Sequence, residues 1–271
     1  MDCQRNRIGS LALRAFFAVS IAMAVEPLAT LAQNSTPPGA VAPSAADQIP
    51  AGTLLPVILR TSVFFEKAKP GQELKGEIAQ DVPLPNGSRI KKGSAVSGRV
   101  IGVSPEANGT RLSLVFDRVH LDGQMLPIVT DLRAIAGFMD VFYAGVPVEA
   151  PEQGSPYEWL PTLQIGGDSV YGLRGPVVSV HSDQVIGKFT GDGVLGHISA
   201  NPTLDCRGPI DGNDHQQALW VFSSNACGIY GIDNLKLQHA GRTDPKGTIV
   251  LASQAPKLQL RNADGLLLRV N

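Results

Sequence analysis

Residues Asn108–Val129 read NGTRLSLVFDRVHLDGQMLPIV. Within them Leu112, Leu114 and Phe116 recur at period two, the spacing that places side chains on one face of a strand. Asn108-Gly109 precedes this run, and Asp122-Gly123 separates it from Met125–Val129. Such dipeptides between alternating apolar runs are the strongest short-range hairpin signal, because their residues tolerate the positive φ of a tight turn. The stretch predicts consecutive antiparallel strands and sets the class of the chain.

Upstream the same grammar continues. Leu54–Arg60 (LLPVILR) is short, apolar and β-rich, and Pro70-Gly71 is a turn signal before Leu74–Gln80. Asn86-Gly87 and Lys92-Gly93 bracket another short strand. Val96–Val103 carries Gly98 and Gly102, which inside a strand imply bulges or close backbone approach. Downstream, strands are expected at Val177–Val180, Val185–Phe189, Val194–Ile198 and Ala218–Phe222. Lys257–Arg261 alternates, and Asp264-Gly265 is expected to turn it into Leu266–Val270 as a terminal hairpin. Turn signals at this spacing predict an all-β protein: two small antiparallel β-barrel or sandwich domains joined by a Pro-rich connector. The expected segments are 49–135, a connector at 136–165 with a short helix near 138–144, and 166–271.

The order of turns in residues 49–128 resembles a known module. It runs through Pro50-Ala51-Gly52-Thr53, Pro85-Asn86-Gly87-Ser88, Ser97-Gly98-Arg99-Val100 and Leu121-Asp122-Gly123-Gln124. It is similar to the C-terminal β-domain of TrbI-like proteins, envelope-spanning components of conjugation and type IV secretion, and to exported bacterial proteins that share it. The resemblance implies a β-barrel in a bacterial cell envelope.

Composition bounds the function. The chain has 271 residues, 43% hydrophobic and 17% charged, with a net charge of -1. A near-neutral chain lacks the basic face that nucleic-acid binding needs, so no nucleic-acid partner is expected. Arg5, Arg7 and Arg14 precede the apolar run Ala15–Val25, which is too short to span a bilayer. Residues 1–32 therefore read as a signal peptide, and 33–48, with Pro37, Pro38 and Pro43, as a flexible tether. The expected location is periplasmic or secreted, and the mature chain is not expected to span a membrane. Removing the signal also removes Cys3, leaving Cys206 and Cys227. Two cysteines in an exported chain most simply pair, and their spacing fits neither a C-x-x-C redox pair nor a zinc ribbon.

Motifs for chemistry are few. No nucleophile elbow, zincin, phosphate-loop or dinucleotide signature is present. His181-Ser182-Asp183 holds triad residue types, but neighbours on a strand point to opposite faces. Asp205, Asp211, Asp214 and His215 cluster between the cysteines; of these Asp211, Asp214 and His215 are weak metal candidates that do not match a calcium loop. No cofactor is expected. Trp159 and Trp220 are candidate glycan-stacking rings, although Trp220, in an apolar run, reads better as core. Phe138, Met139, Val141, Phe142 and Tyr143 form an apolar patch that reads either as a partner surface or as packing across a groove. The leading expectation is a non-enzymatic envelope protein with a structural or adaptor role, meeting another envelope protein. A glycan- or peptidoglycan-binding module and a hydrolase with a dispersed site are the alternatives.

Overall fold

The computed structural model describes residues 49–148, 160–172, 174–201, 206 and 215–271. The signal-peptide and tether segments, Trp159, Asp205, Asp211 and Asp214 lie outside the described residues. In chain order the first strands are β1 (Leu54–Leu59), β2 (Val63–Phe64), β3 (Glu73–Ile78), β4 (Val82–Pro83) and β5 (Arg89–Ile90). The long strands β6 (Ala95–Glu106) and β7 (Gly109–Leu121) follow, then β8 (Gln124–Pro127), β9 (Thr130–Ala136) and helix α1 (Phe138–Tyr143). Next come β10 (Pro161–Leu163), β11 (Ser169–Tyr171), β12 (Pro176–Val178), β13 (Val185–Phe189), β14 (Val194–Gly196) and β15 (Gln217–Trp220). The chain closes with β16 (Gly228–Tyr230), β17 (Leu235–His239), β18 (Ile249–Ser253), β19 (Gln259–Leu260) and β20 (Gly265–Val270).

Two sheets dominate the described residues, so the protein is all-β as the sequence predicts. The larger is barrel-like, in the order β16-β9-β20-β1-β3-β6-β7-β18-β17, with β8 on β7. Its two margins approach each other: Leu132 N–H, on β9 next to the end strand β16, donates to Ala240 O at 2.8 Å, just beyond β17. The smaller is a curled half-barrel of β10 to β15 in sequence order. The large sheet takes strands from both sides of the 136–165 connector, because β16, β17, β18 and β20 return to it.

Local chemistry explains much of the pairing. Asp122 (φ 47°) and Gly123 (φ 83°) form the turn that pairs Leu121 with Gln124, as their sequence predicts. Gly98 sits at a register shift between β6 and β7, where a Cβ would collide with Val115 O and lie 3.0 Å from Phe116 Cα. Leu112, Leu114 and Phe116 are all buried in the barrel core.

The terminal hairpin expected at Asp264-Gly265 does not form. β19 pairs with β2, whereas β20 lies between β1 and β9. The reason is visible in Leu266-Leu267-Leu268, which is apolar on both faces. Leu266 and Leu268 enter the barrel core, and Leu267 enters the core under the half-barrel. β1 divides likewise, with Leu55, Val57 and Leu59 inward and Leu54 outward. On β15, Ala218 and Leu219 join opposite cores. Gln217 Oε1 accepts from Leu54 N–H at 3.1 Å, and Gln80 Oε1 accepts from Trp220 N–H at 2.7 Å, so buried glutamines tie β15 to the barrel.

Candidate functional site

Helix α1 leaves β9 through Gly137 and carries the sequence FMDVFY, yet none of its residues is buried. Phe142 is 64% exposed, Tyr143 58% and Met139 41%. The Phe142 and Tyr143 rings meet edge to face with centroids 5.5 Å apart. Val146 and Val148, which follow the helix in the chain, are exposed as well. Phe138 and Val141 turn inward: Arg261 lies over the Phe138 ring, 5.6 Å from its centroid, and Val141 packs on the half-barrel core. Of the five patch residues singled out in the sequence, three therefore face solvent and two anchor the helix.

The helix start is fixed by a residue far away in sequence. Gly137 supplies no side-chain cap. Instead Asp264, in the turn before β20, accepts Phe138 N–H on Oδ1 at 2.9 Å and Arg261 N–H on Oδ2 at 2.7 Å. Asp264 is buried, and burial pushes its carboxyl above its ordinary value of 3.8 against the pull of those two N–H groups and the Arg261 charge. A raised folded pKa means that folding takes up a proton. Stability from this group is therefore greatest below the unfolded value and declines as pH rises through the folded one. In denaturation across the acid range, the wild type should lose stability relative to Asp264→Asn as pH rises. Parallel curves for the two proteins would contradict it.

Two depressions flank α1. One, of about 230 Å³, is lined by Phe138, Met139, Ile232, Lys257 and Arg261. The other, of about 220 Å³, is the apolar mouth of the half-barrel, lined by Ala144, Pro147, Thr162, Gln164, Phe189 and Trp220. Trp220, expected as core, is only half-buried and forms part of this wall, with Phe222 packed edge-on at 6.3 Å. Gln164 is 5% exposed. Its Nε2 donates to Phe222 O at 2.5 Å and reaches Trp220 O at 3.5 Å, while its Oε1 has no hydrogen-bond partner among the described residues.

Away from the helix, Cys206 and Cys227 form a disulfide with Cα atoms 6.0 Å apart, as the sequence predicts. Arg242 reaches Cys206 Sγ with Nη2 at 2.9 Å and Asp131 Oδ1 with Nε at 3.4 Å. Asp131 Oδ2 accepts from both Nε and Nη2 of Arg269, at 2.9 and 2.7 Å. Beside it, buried Arg133 donates from Nη2 to Ser199 O and Ser224 O. The sequence motifs do not point to this charge cluster; its only local signal is the charge of Asp131, Arg133 and Arg269 within otherwise apolar strands.

The residue types of catalysis and metal binding do not converge. His181 Nε2 lies 2.5 Å from Asn225 Nδ2, and Asp183 is in a turn with φ 50°. His215 Nε2 lies 3.0 Å from Gln217 Nε2. Among the described residues no three His, Cys, Asp or Glu side chains form a metal-ligating group, and no helix is long and apolar enough to cross a membrane. No family model, curated protein or solved structure matches the chain.

Proposed function

We propose that the chain is an exported, non-enzymatic cell-envelope protein that holds another envelope protein through the aromatic face of α1. The observation that carries this reading is a helix of apolar sequence with no buried residue. A globular chain gains from covering such side chains, and a contiguous exposed apolar patch marks an interaction surface. Large aromatic side chains are also the residues that most often anchor protein interfaces. The disulfide accords with an oxidising compartment, and the resemblance of residues 49–128 to TrbI-like β-domains points to the envelope.

The test places a photo-crosslinking amino acid at position 142 in the full chain, expressed in its native host. One discrete partner band should form in the envelope fraction, with none from a crosslinker at Val185, which is 67% exposed elsewhere. Phe142→Ser with Tyr143→Ser should abolish the partner complex while changing stability by no more than about 0.5 kcal/mol, the usual range for exposed positions. Crosslinking that is equal at both positions, or a complex that survives the double substitution, would rule the patch out. The exported protein should also begin near Gln33 by mass spectrometry. An intact Met1 on the protein recovered from the cytoplasm would overturn the export reading.

A further inference from the structure

We infer that the Cys206–Cys227 bridge is a redox switch for β16, opened by a dithiol reductant, with Cys206 as the sulfur that leaves and Arg242 as the residue that holds it as a thiolate. The two sulfurs are set differently. Cys206 is fully buried, and Arg242 reaches its Sγ with Nη2 at 2.9 Å. Asp131 Oδ1 lies 3.4 Å from Arg242 Nε, but its other oxygen accepts both Nε and Nη2 of Arg269. One carboxylate is thus shared by two guanidinium groups. Arg133, whose backbone O lies 3.9 Å from the same sulfur, brings a third, and Lys236 and His239 border the depression outside. Among the described residues the charge around Cys206 is therefore positive, and a fixed cation beside a sulfur favours its anion. Cys227, 4% exposed, instead borders a depression of about 600 Å³ lined from both β16 and β17.

The exchange runs in two displacements. One thiolate of the dithiol attacks Cys227 Sγ, the S–S bond breaks, and its electron pair leaves on Cys206 Sγ against Arg242. A more stable departing thiolate leaves faster. The second thiol of the reductant then gives its proton to Cys227 and displaces it from the mixed disulfide. The dithiol ends as a disulfide, and its two electrons reside on Cys206 thiolate and Cys227 thiol. Cys206 stays held by Asn201 and Arg242. Cys227 leads into β16, which meets β9 through three residue pairs, so the opened bridge releases an end strand of the barrel-like sheet.

The full chain carrying Cys3→Ser leaves Cys206 and Cys227 as its only cysteines. Cys227→Ser and Cys206→Ser then isolate each thiol, and ultraviolet thiolate absorbance is followed against pH. At neutral pH the thiolate fraction of Cys206 should be about tenfold that of Cys227, as beside other fixed cations. Arg242→Gln should abolish that difference, and Arg242→Lys, which keeps the charge, should preserve it. With both cysteines present, dithiothreitol should reduce the wild type up to about tenfold further than Arg242→Gln in alkaline solution, with the two converging in acid. Glutathione, a monothiol, should be found by mass spectrometry on Cys227. Hydrogen exchange at β16 should quicken on reduction and slow again on reoxidation. If Arg242→Gln does not fold, the two single-thiol titrations decide the matter. Equal titration of the two thiols, a glutathione adduct on Cys206, or a bridge that dithiothreitol leaves intact in the folded protein would overturn the inference. So would unchanged exchange at β16 after reduction. None of these measurements involves α1, so the switch and the proposed partner surface fail independently.

Discussion

Asp131→Ala should cost about 3–5 kcal/mol of folding stability, the usual penalty for removing one partner of a buried ion pair. Asp131 is fully buried, and the Arg269 side chain that brackets it is only 8% exposed. The two residues face each other directly in the β9–β20 register. Without the carboxylate, the buried Arg269 guanidinium loses both of the charge-assisted hydrogen bonds it makes to Asp131 Oδ2. Arg242, whose Nε lies 3.4 Å from Asp131 Oδ1, would lose the same carboxylate. A domain is stable by only about 5–15 kcal/mol, and this loss would take a large share of it. Asp131→Leu combined with Arg269→Met should recover most of the loss, because an apolar pair of similar volume needs no desolvation of charge. Arg242 is 18% exposed and can turn its charge to water. Chemical denaturation of both variants tests the argument. A cost below about 1 kcal/mol for Asp131→Ala would place the pair in the weak class of solvent-screened surface bridges.

The strands were legible because their signals are local. Leu112, Leu114 and Phe116 announce a half-buried strand by period, and Asp122-Gly123 announces its turn by tolerance of positive φ. The helix at Phe138–Tyr143 could also be read, from the change of composition after Ala136. Partner choice was not legible. Leu266-Leu267-Leu268 reads as a strand whichever neighbour it takes, and its pairing with β1, about 210 residues earlier, follows only from closing the barrel. The same limit hid the candidate sites. Gln164 becomes an orphaned acceptor because Phe222 O and Trp220 O meet its amide from a distant strand, and Asp264 caps a helix that lies 126 residues away. Single polar residues in apolar surroundings, such as Asp131 and Arg269, are the one trace that such tertiary chemistry leaves in the sequence.

Loss of the Cys206–Cys227 bridge should cost about 2–5 kcal/mol, and its effect should fall first on β16. Cys206 is held by reciprocal backbone bonds with Asn201, at 2.5 and 3.1 Å, beside the half-barrel. Cys227 leads directly into β16, and its N–H donates to Tyr230 Oη at 3.0 Å. β16 joins β9 through only three residue pairs, Gly228 to Tyr230 against Ala134 to Ala136. It is also an end of the barrel-like sheet, so nothing in the sheet pairs with its other edge among the described residues. So short a parallel edge strand brings little pairing of its own, and the crosslink that fixes its entry supplies the constraint. Arg242, which touches both Cys206 Sγ and Asp131, passes the disturbance to the buried charges. Cys206→Ser, Cys227→Ser and the double variant should therefore lose similar amounts, because each removes the same crosslink. Hydrogen exchange should quicken at β16 while β6 and β7, far along the sheet, keep their protection. Thiol titration of folded, non-reduced protein comes first. Two reactive thiols there would abolish the premise, whereas a silent titration with β16 still protected in all three variants would locate its stability in the strand pairing instead.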